Sequence, residues 1–176
     1  MMNERRALPT LDFQQAVKEA WSKIAQFSGR SRRSEFWWSY LAIYIGTIVI
    51  SMIPLFGGVA SVVLWLATIP LVFRRLHDTG RSGWWWGAEC LVSMAGAITF
   101  IINMIRVFGN LITGGNHDIE PVELVAMIFK LLCDPLTIAL FSASIILKIV
   151  ILVFLCQDST PEPNQYGESP KYVVEE

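Results

Sequence analysis

Residues 73–86 read FRRLHDTGRSGWWW, and what this stretch is decides where everything else goes. Arg74, Arg75, Arg81, His77 and Asp78 lie here between two strongly apolar segments. The stretch closes on Trp84, Trp85 and Trp86, a residue type that collects where a bilayer meets water. Residues 74–83 are therefore expected to form a loop at a membrane surface. The rest of the composition agrees: 53% of the 176 residues are apolar and only 16% are charged, too hydrophobic for an ordinary soluble globule. The length suits one domain, and the fold expected is all-α, a polytopic bundle of four transmembrane helices.

Upstream, residues 59–73 are apolar over about 22 Å of helix, short of a hydrocarbon core of ~30 Å. Snorkelling by Arg74 and Arg75, or use of turn residues, has to supply the difference. Before the turn marked by Pro54, Gly57 and Gly58, residues 36–53 carry no charge over about 27 Å of helix and form the first span. It is preceded by FSGRSRRSEFWW at 27–38, with Arg30, Arg32, Arg33 and Glu35. Of the 14 Lys and Arg, ten lie at or before Arg81 and seven in the first 35 residues. Two spans return the chain to the side it left, so both basic clusters share one face, which the positive-inside rule makes cytoplasmic. The amino terminus is expected there too. Within 12–27, Phe13, Val17, Ala20, Trp21, Ile24 and Phe27 recur every three or four residues with polar residues between them, an amphipathic helix. Asp12 is placed to cap it, with Gln15 in the capping-box position. Such a helix either lies in the headgroup region or packs on other protein. No short apolar core of a secretory signal precedes the first span, which is expected to act as its own insertion signal.

Downstream, 84–105 fits a third span carrying Glu89, and 136–156 a fourth carrying Lys148. Between them, 106–135 is expected to be extracytoplasmic, with Gly109, Gly114, Gly115, Asn116 and Pro121 in a loop. Residues 122–133 there form a short amphipathic helix with Glu123 and Lys130 on its polar stripe. Twelve residues are too few to span, so that helix is interfacial, packed or re-entrant. The chain thus divides into a cytoplasmic amphipathic segment (1–35), a transmembrane domain (36–156) and a polar, irregular cytoplasmic tail (157–176). Cys90, Cys133 and Cys156 are isolated and lack the spacing of a disulfide framework or a zinc site.

FSGRSRRSEFWW before the first span, FRRLHDTGRSGWWW after the second and LCQDSTPEPNQYGESP after the last resemble, in order and spacing, the bacterial inner-membrane family catalogued as domain of unknown function 805. The resemblance covers about residues 27–170. It implies a small multi-pass protein of the inner membrane and carries no biochemical activity with it. Two departures stand out. Ser159, Thr160, Pro161 and Glu162 replace the family's Gly-Thr-Pro-Gly turn, although Asn164, Tyr166 and Gly167 remain. The segment between the tryptophans and the tail is also longer here than is usual, which bears on the number of spans.

His77 beside Asp78 invites a catalytic or metal-binding reading. Adjacent loop residues seldom converge, however, His117 is expected across the membrane, and a metal needs three or four ligands. No cofactor, metal or nucleic-acid partner is expected. The arginines either set topology and touch anionic headgroups or form, with Glu35, Asp78, Asn164 and Tyr166, a hydrogen-bonded polar cap, a role that suits the planar guanidinium fork. Asn164 and Tyr166 are expected to dock near residues 74–81. Glu89 and Lys148 are charges inside spans, which mark functional sites or pair with one another; contact or a bridging water is expected, the alternative being that each snorkels separately. Three function classes follow: a structural or accessory membrane protein, with a membrane partner or a second copy; a small-solute carrier or channel using Glu89 and Lys148; and an enzyme working at the cytoplasmic face.

Overall fold

The computed structural model describes residues 5–113 and 120–174. The described residues form six helices and two short strands. They are β1 (Arg5–Ala7), α1 (Phe13–Ser22), α2 (Arg33–Ser51), α3 (Gly57–Asp78), α4 (Trp84–Thr113), α5 (Pro121–Leu132), α6 (Pro135–Cys156) and β2 (Tyr172–Val174). Three helical stretches are long and apolar enough to cross a membrane: Gly57–Asp78, Trp84–Gly109 and Pro135–Cys156. α2 is not among them, because Glu35 opens it and Trp37, Trp38, Tyr40 and Tyr44 dilute its aliphatic content. The chain divides into two compact units, residues 1–86 with 151–176, and residues 87–150.

In the first unit α1 starts at a full capping box: the Gln15 N–H donates to Asp12 Oδ1 at 2.8 Å, and the Asp12 N–H donates to Gln15 Oε1. The helix ends at Ser22 rather than continuing to residue 27. The reason is Arg74, whose guanidinium takes the Lys23 carbonyl at 2.5 Å and the Gln26 carbonyl at 3.4 Å, groups that further helical turns would need. α1 lies on α2 through Ala16 and Ala20, both buried, and through Ser39 Oγ, which donates to the Ala16 carbonyl at 3.1 Å. Between α2 and α3 the turn is tight: a Cβ on Gly57 would lie 2.4 Å from the Ile50 carbonyl oxygen. α3 tolerates Pro70 in its interior, where the ring removes the N–H that would bond back to residue 66. The unit's apolar core joins Ala20, Phe36, Leu71, Val72 and Leu76 to Ile151 and Leu155 of α6.

Two expectations are corrected. Residues 74–78 are not loop, since α3 runs through Arg74, Arg75, His77 and Asp78 before turning at Thr79 and Gly80. A helix can end in such residues when neighbouring chain ends offer carbonyls to the side chains. The tail is not irregular throughout: β2 pairs antiparallel with β1, Arg5 opposite Val174 and Ala7 opposite Tyr172, a short ribbon beside an otherwise helical fold.

In the second unit α4 continues past residue 105 to Thr113. Gly96 lets it approach α6, where an added Cβ would touch Leu140 at 3.4 Å. α5 begins with Pro121 at its first turn. Gly114, Gly115, Asn116 and His117, and the side chain of Glu123, lie outside what the structure describes.

Candidate functional site: an arginine-carboxylate cap

Asp78 is the centre of the polar cluster. It is fully buried at the last residue of α3. Its Oδ1 accepts from Arg30 Nε at 3.0 Å, and its Oδ2 accepts from Arg75 NH1 and from Ser159 Oγ, both at 2.5 Å. Its backbone carbonyl accepts from the Thr160 hydroxyl at 3.2 Å. One carboxylate thus faces two guanidinium groups, and carbonyl dipoles take the remaining N–H bonds. Arg30 donates to the carbonyls of Thr160 at 2.6 Å, Glu162 at 2.9 Å and Gly167 at 3.2 Å. Arg75 donates to Leu155 at 3.0 Å, to Ser31 at 3.3 Å and to Gln157.

These arginines act as caps on other elements' ends. The last carbonyls of a helix have no partner within it, and its carboxyl end favours positive charge. Arg75, on α3, fills that role at the end of α6, joined by Arg33, which donates to the Cys156 carbonyl at 3.3 Å. Arg74 does the same just beyond α1 and also meets Glu35 Oε1 at 3.5 Å, with both side chains 1% exposed. Arg32 is spent on the Pro9 carbonyl at 2.9 Å. Arg81 reaches Gln157 Oε1 at 2.6 Å while its guanidinium sits 3.9 Å from the centre of the Phe154 ring.

His77 is turned toward the tail and away from the Asp78 carboxylate. Its Nδ1 lies 3.2 Å from the Gly29 carbonyl, and since a carbonyl only accepts, Nδ1 carries the proton. Tyr166 stacks flat on the imidazole, ring centres 3.7 Å apart and planes 3° apart. Asn164 Nδ2 donates to the His77 carbonyl at 2.9 Å, and Asn164 Oδ1 accepts the Tyr166 N–H at 2.9 Å. Further along, Lys171 Nζ meets Asp158 Oδ2 at 2.5 Å. That hydrogen bond holds the Asp158 carboxyl below its usual range and raises the Lys171 ammonium above its own.

The structure therefore brings together Arg30, Arg75, Asp78, His77, Asn164 and Tyr166. It sets Arg74 with Glu35 in a second cluster and leaves Arg32, Arg33 and Arg81 on separate carbonyls or on the tail. Ser159 and Thr160 were missed by sequence reasoning. The only available signal was that these hydroxyl residues stand in the turn where the chain departs from the familiar pattern.

A model of the family described as "Protein of unknown function (DUF805)" matches residues 24–168, most of the chain and all of the residues gathered around Asp78 and His77. The chain belongs to this family. Among curated members, the Escherichia coli (strain K12) inner membrane protein YhaH is 25% identical over 157 residues, covering 82% of this chain and 87% of YhaH. The inner membrane protein YhaI of the same strain is 28% identical over 154 residues, covering 83% and 86%. No solved structure matches.

In this DUF805 chain the two charges expected inside spans both belong to the second unit. Glu89 is buried at 6% exposure. Its Oε1 accepts from Ser144 Oγ at 2.9 Å and stands 3.2 Å from Lys148 Nζ, which also reaches Ser144 Oγ at 3.1 Å. Ser144 was missed, although its place four residues before Lys148 puts the two on one helix face. Farther along the same helices Thr137 Oγ1 sits 3.4 Å from both Thr99 Oγ1 and Asn103 Nδ2. Among the described residues no three His, Cys, Asp or Glu side chains gather as a metal site would need.

Proposed function

We propose that the protein is a structural or accessory protein of the bacterial inner membrane, crossing it four times through α2, α3, α4 and α6, with its amino terminus, arginine cap and tail in the cytoplasm. One observation carries the reading: the Arg30 and Arg75 guanidinium groups are spent on Asp78 and on backbone carbonyls of the α6 end, the tail and Ser31, so they fasten elements together. The family's inner membrane relatives support the location, and the early basic residues support the orientation. α1 then lies in the headgroup layer with Trp21 outward, and α5 lies at the opposite surface. A bilayer with anionic headgroups is one partner, and another membrane protein or a second copy is the other. Cysteine labelling tests the topology once the three native cysteines are replaced. Cysteine at exposed Phe56 should react from outside intact cells, and cysteine at exposed Gln165 only after permeabilisation; the reverse pattern overturns the reading.

The buried Glu89 beside Lys148 favours a second reading, a small-solute or proton carrier, because charges within spans often mark a transport path. Proteoliposomes separate the two. Absence of proton or solute flux above protein-free vesicles supports the accessory role, and flux abolished by Glu89→Gln supports the carrier.

A further inference from the structure

We infer that the pocket between residues 8–13 and the first turns of α2 seats the phosphate of one anionic phospholipid, with Arg32 and Arg33 as its ligands. The pocket has a volume of about 580 Å³ and lies wholly within the first unit; Arg32, Arg33 and Ser34 line it together with Asp158 and Lys171 of the tail. Arg32 is only 9% exposed. Its Nη1 donates to the Pro9 carbonyl at 2.9 Å, while its Nε and Nη2 have no acceptor among the described residues. Neither nitrogen is sealed off, since the partnerless polar atoms closed to solvent there are those of Ser31, Arg74 and Ser169.

Among the described residues neither Arg32 nor Arg33 has an ion-pair partner. The two carboxylates that line the pocket are committed elsewhere: Asp158 to Lys171 at 2.5 Å and to the Ser159 N–H at 2.9 Å, and Asp12 to the Gln15 N–H at 2.8 Å. A guanidinium withdrawn this far from water without a counter-charge is costly, so an anion is called for. Phosphate oxygens match its planar fork. Two further features favour negative charge here. α2 begins at Arg33 with no side chain capping its first turn, and such an end attracts anions. Ser34 Oγ accepts the Leu11 N–H at 3.2 Å, which leaves its own proton to donate. Phe13, Trp37 and Trp38 line the same pocket and are 49%, 37% and 42% exposed. A free phosphate makes no use of them, whereas the glycerol and first methylenes of a phospholipid do. An anionic lipid suits the pocket better than a zwitterionic one, because an ammonium would need a carboxylate and both are taken.

The inference rests on α2 lying in the membrane with this end at the headgroups, which the Phe56 and Gln165 labelling given above tests by itself; protein that shows that pattern and fails the following test loses this inference alone. Wild-type protein in a non-ionic detergent is titrated with phosphatidylglycerol, phosphatidylethanolamine or inorganic phosphate, and bound molecules are counted by native mass spectrometry. One phosphatidylglycerol should bind about tenfold or more tightly than phosphatidylethanolamine. Arg32→Gln should weaken it by about tenfold, the loss of one charge-assisted hydrogen bond. Arg33→Glu, which reverses an exposed charge, keeps the test open if Arg32→Gln does not fold, and should weaken binding by at least about as much. Lys18→Gln, an exposed cation of α1 outside the pocket, should leave the affinity unchanged. Equal affinity for the two lipids, an equal loss in Lys18→Gln, or displacement of the lipid by inorganic phosphate at the same concentration overturns the assignment.

Discussion

Replacing Asp78 by asparagine keeps the size of the side chain and removes its charge. In the folded protein that charge accepts Arg30 Nε at 3.0 Å and Arg75 NH1 and Ser159 Oγ at 2.5 Å, with all of Asp78 and the Arg75 side chain out of solvent. Removing one partner of a buried ion pair costs about 3–5 kcal/mol. Here the lower end applies, because each arginine retains three or more carbonyl contacts from Ser31, Leu155, Gln157, Thr160, Glu162 and Gly167. The expected loss is about 3 kcal/mol, against a whole-domain stability of ~5–15 kcal/mol. Glu35→Gln is the internal control. Arg74 meets Glu35 at 3.5 Å and keeps two carbonyls, so that change should cost about 1 kcal/mol. Denaturant unfolding in detergent, followed by tryptophan fluorescence, reads both. If Asp78→Asn costs no more than Glu35→Gln, the carboxylate is not what holds the cap together.

Gly83→Ala should be destabilising by about 1–3 kcal/mol, because the new Cβ would fall 2.2 Å from the Phe73 ring; the melting temperature in detergent checks it. Glu89→Lys and Lys148→Glu should each reduce folded yield, and the double swap should recover much of it; a double variant no better than either single one would deny the 3.2 Å pair a role. The Asp158 contact with Lys171 should weaken in acid. Since Lys171 holds the Asp158 carboxyl below its usual range, the contact stabilises fully above the unfolded value near ~3.9 and is lost as pH falls through the lower folded value. Asp158 is half exposed, so the effect is under ~1 kcal/mol. Protease cleavage of the tail should rise at acid pH in the wild type and be high at every pH in Lys171→Met; equal cleavage of the two proteins at neutral pH would refute it.

Much of this fold lies in one-dimensional patterns, and the parts that do not lie in the same place. Apolar runs bounded by Arg33, Gly57 and Trp84 mark where helices begin, because hydrophobic length and turn residues are local properties. Local reasoning also took Arg74, Arg75 and Asp78 for a loop, since charges in a helix next to an apolar segment are expected to face water. The two arginines' partners include carbonyls at residues 23, 31, 155 and 157, and backbone groups leave no mark in a sequence. The same holds for the pairing of Arg5–Ala7 with Tyr172–Val174, whose two halves are far apart in the chain. Asn164 and Tyr166 were legible as a polar motif in a tail otherwise free of constraint. Ser159 was not, because one hydroxyl among several has no period to reveal it.

The hydroxyl that completes the Asp78 shell sits 81 residues later in the chain. A ribosome adding roughly 5–20 residues per second takes about 4–16 s to cover that distance. For that interval a nascent chain already threaded into the bilayer carries Arg30, Arg75 and Asp78 without their lid, and the carbonyls of residues 155 and 157 do not yet exist. Maturation of the arginine cap therefore waits for the last segment to leave the tunnel. A transcript broken after residue 150 yields a product with every early signal for insertion and none of the means to close it, a defined mark by which quality control can tell a truncated copy from a finished one.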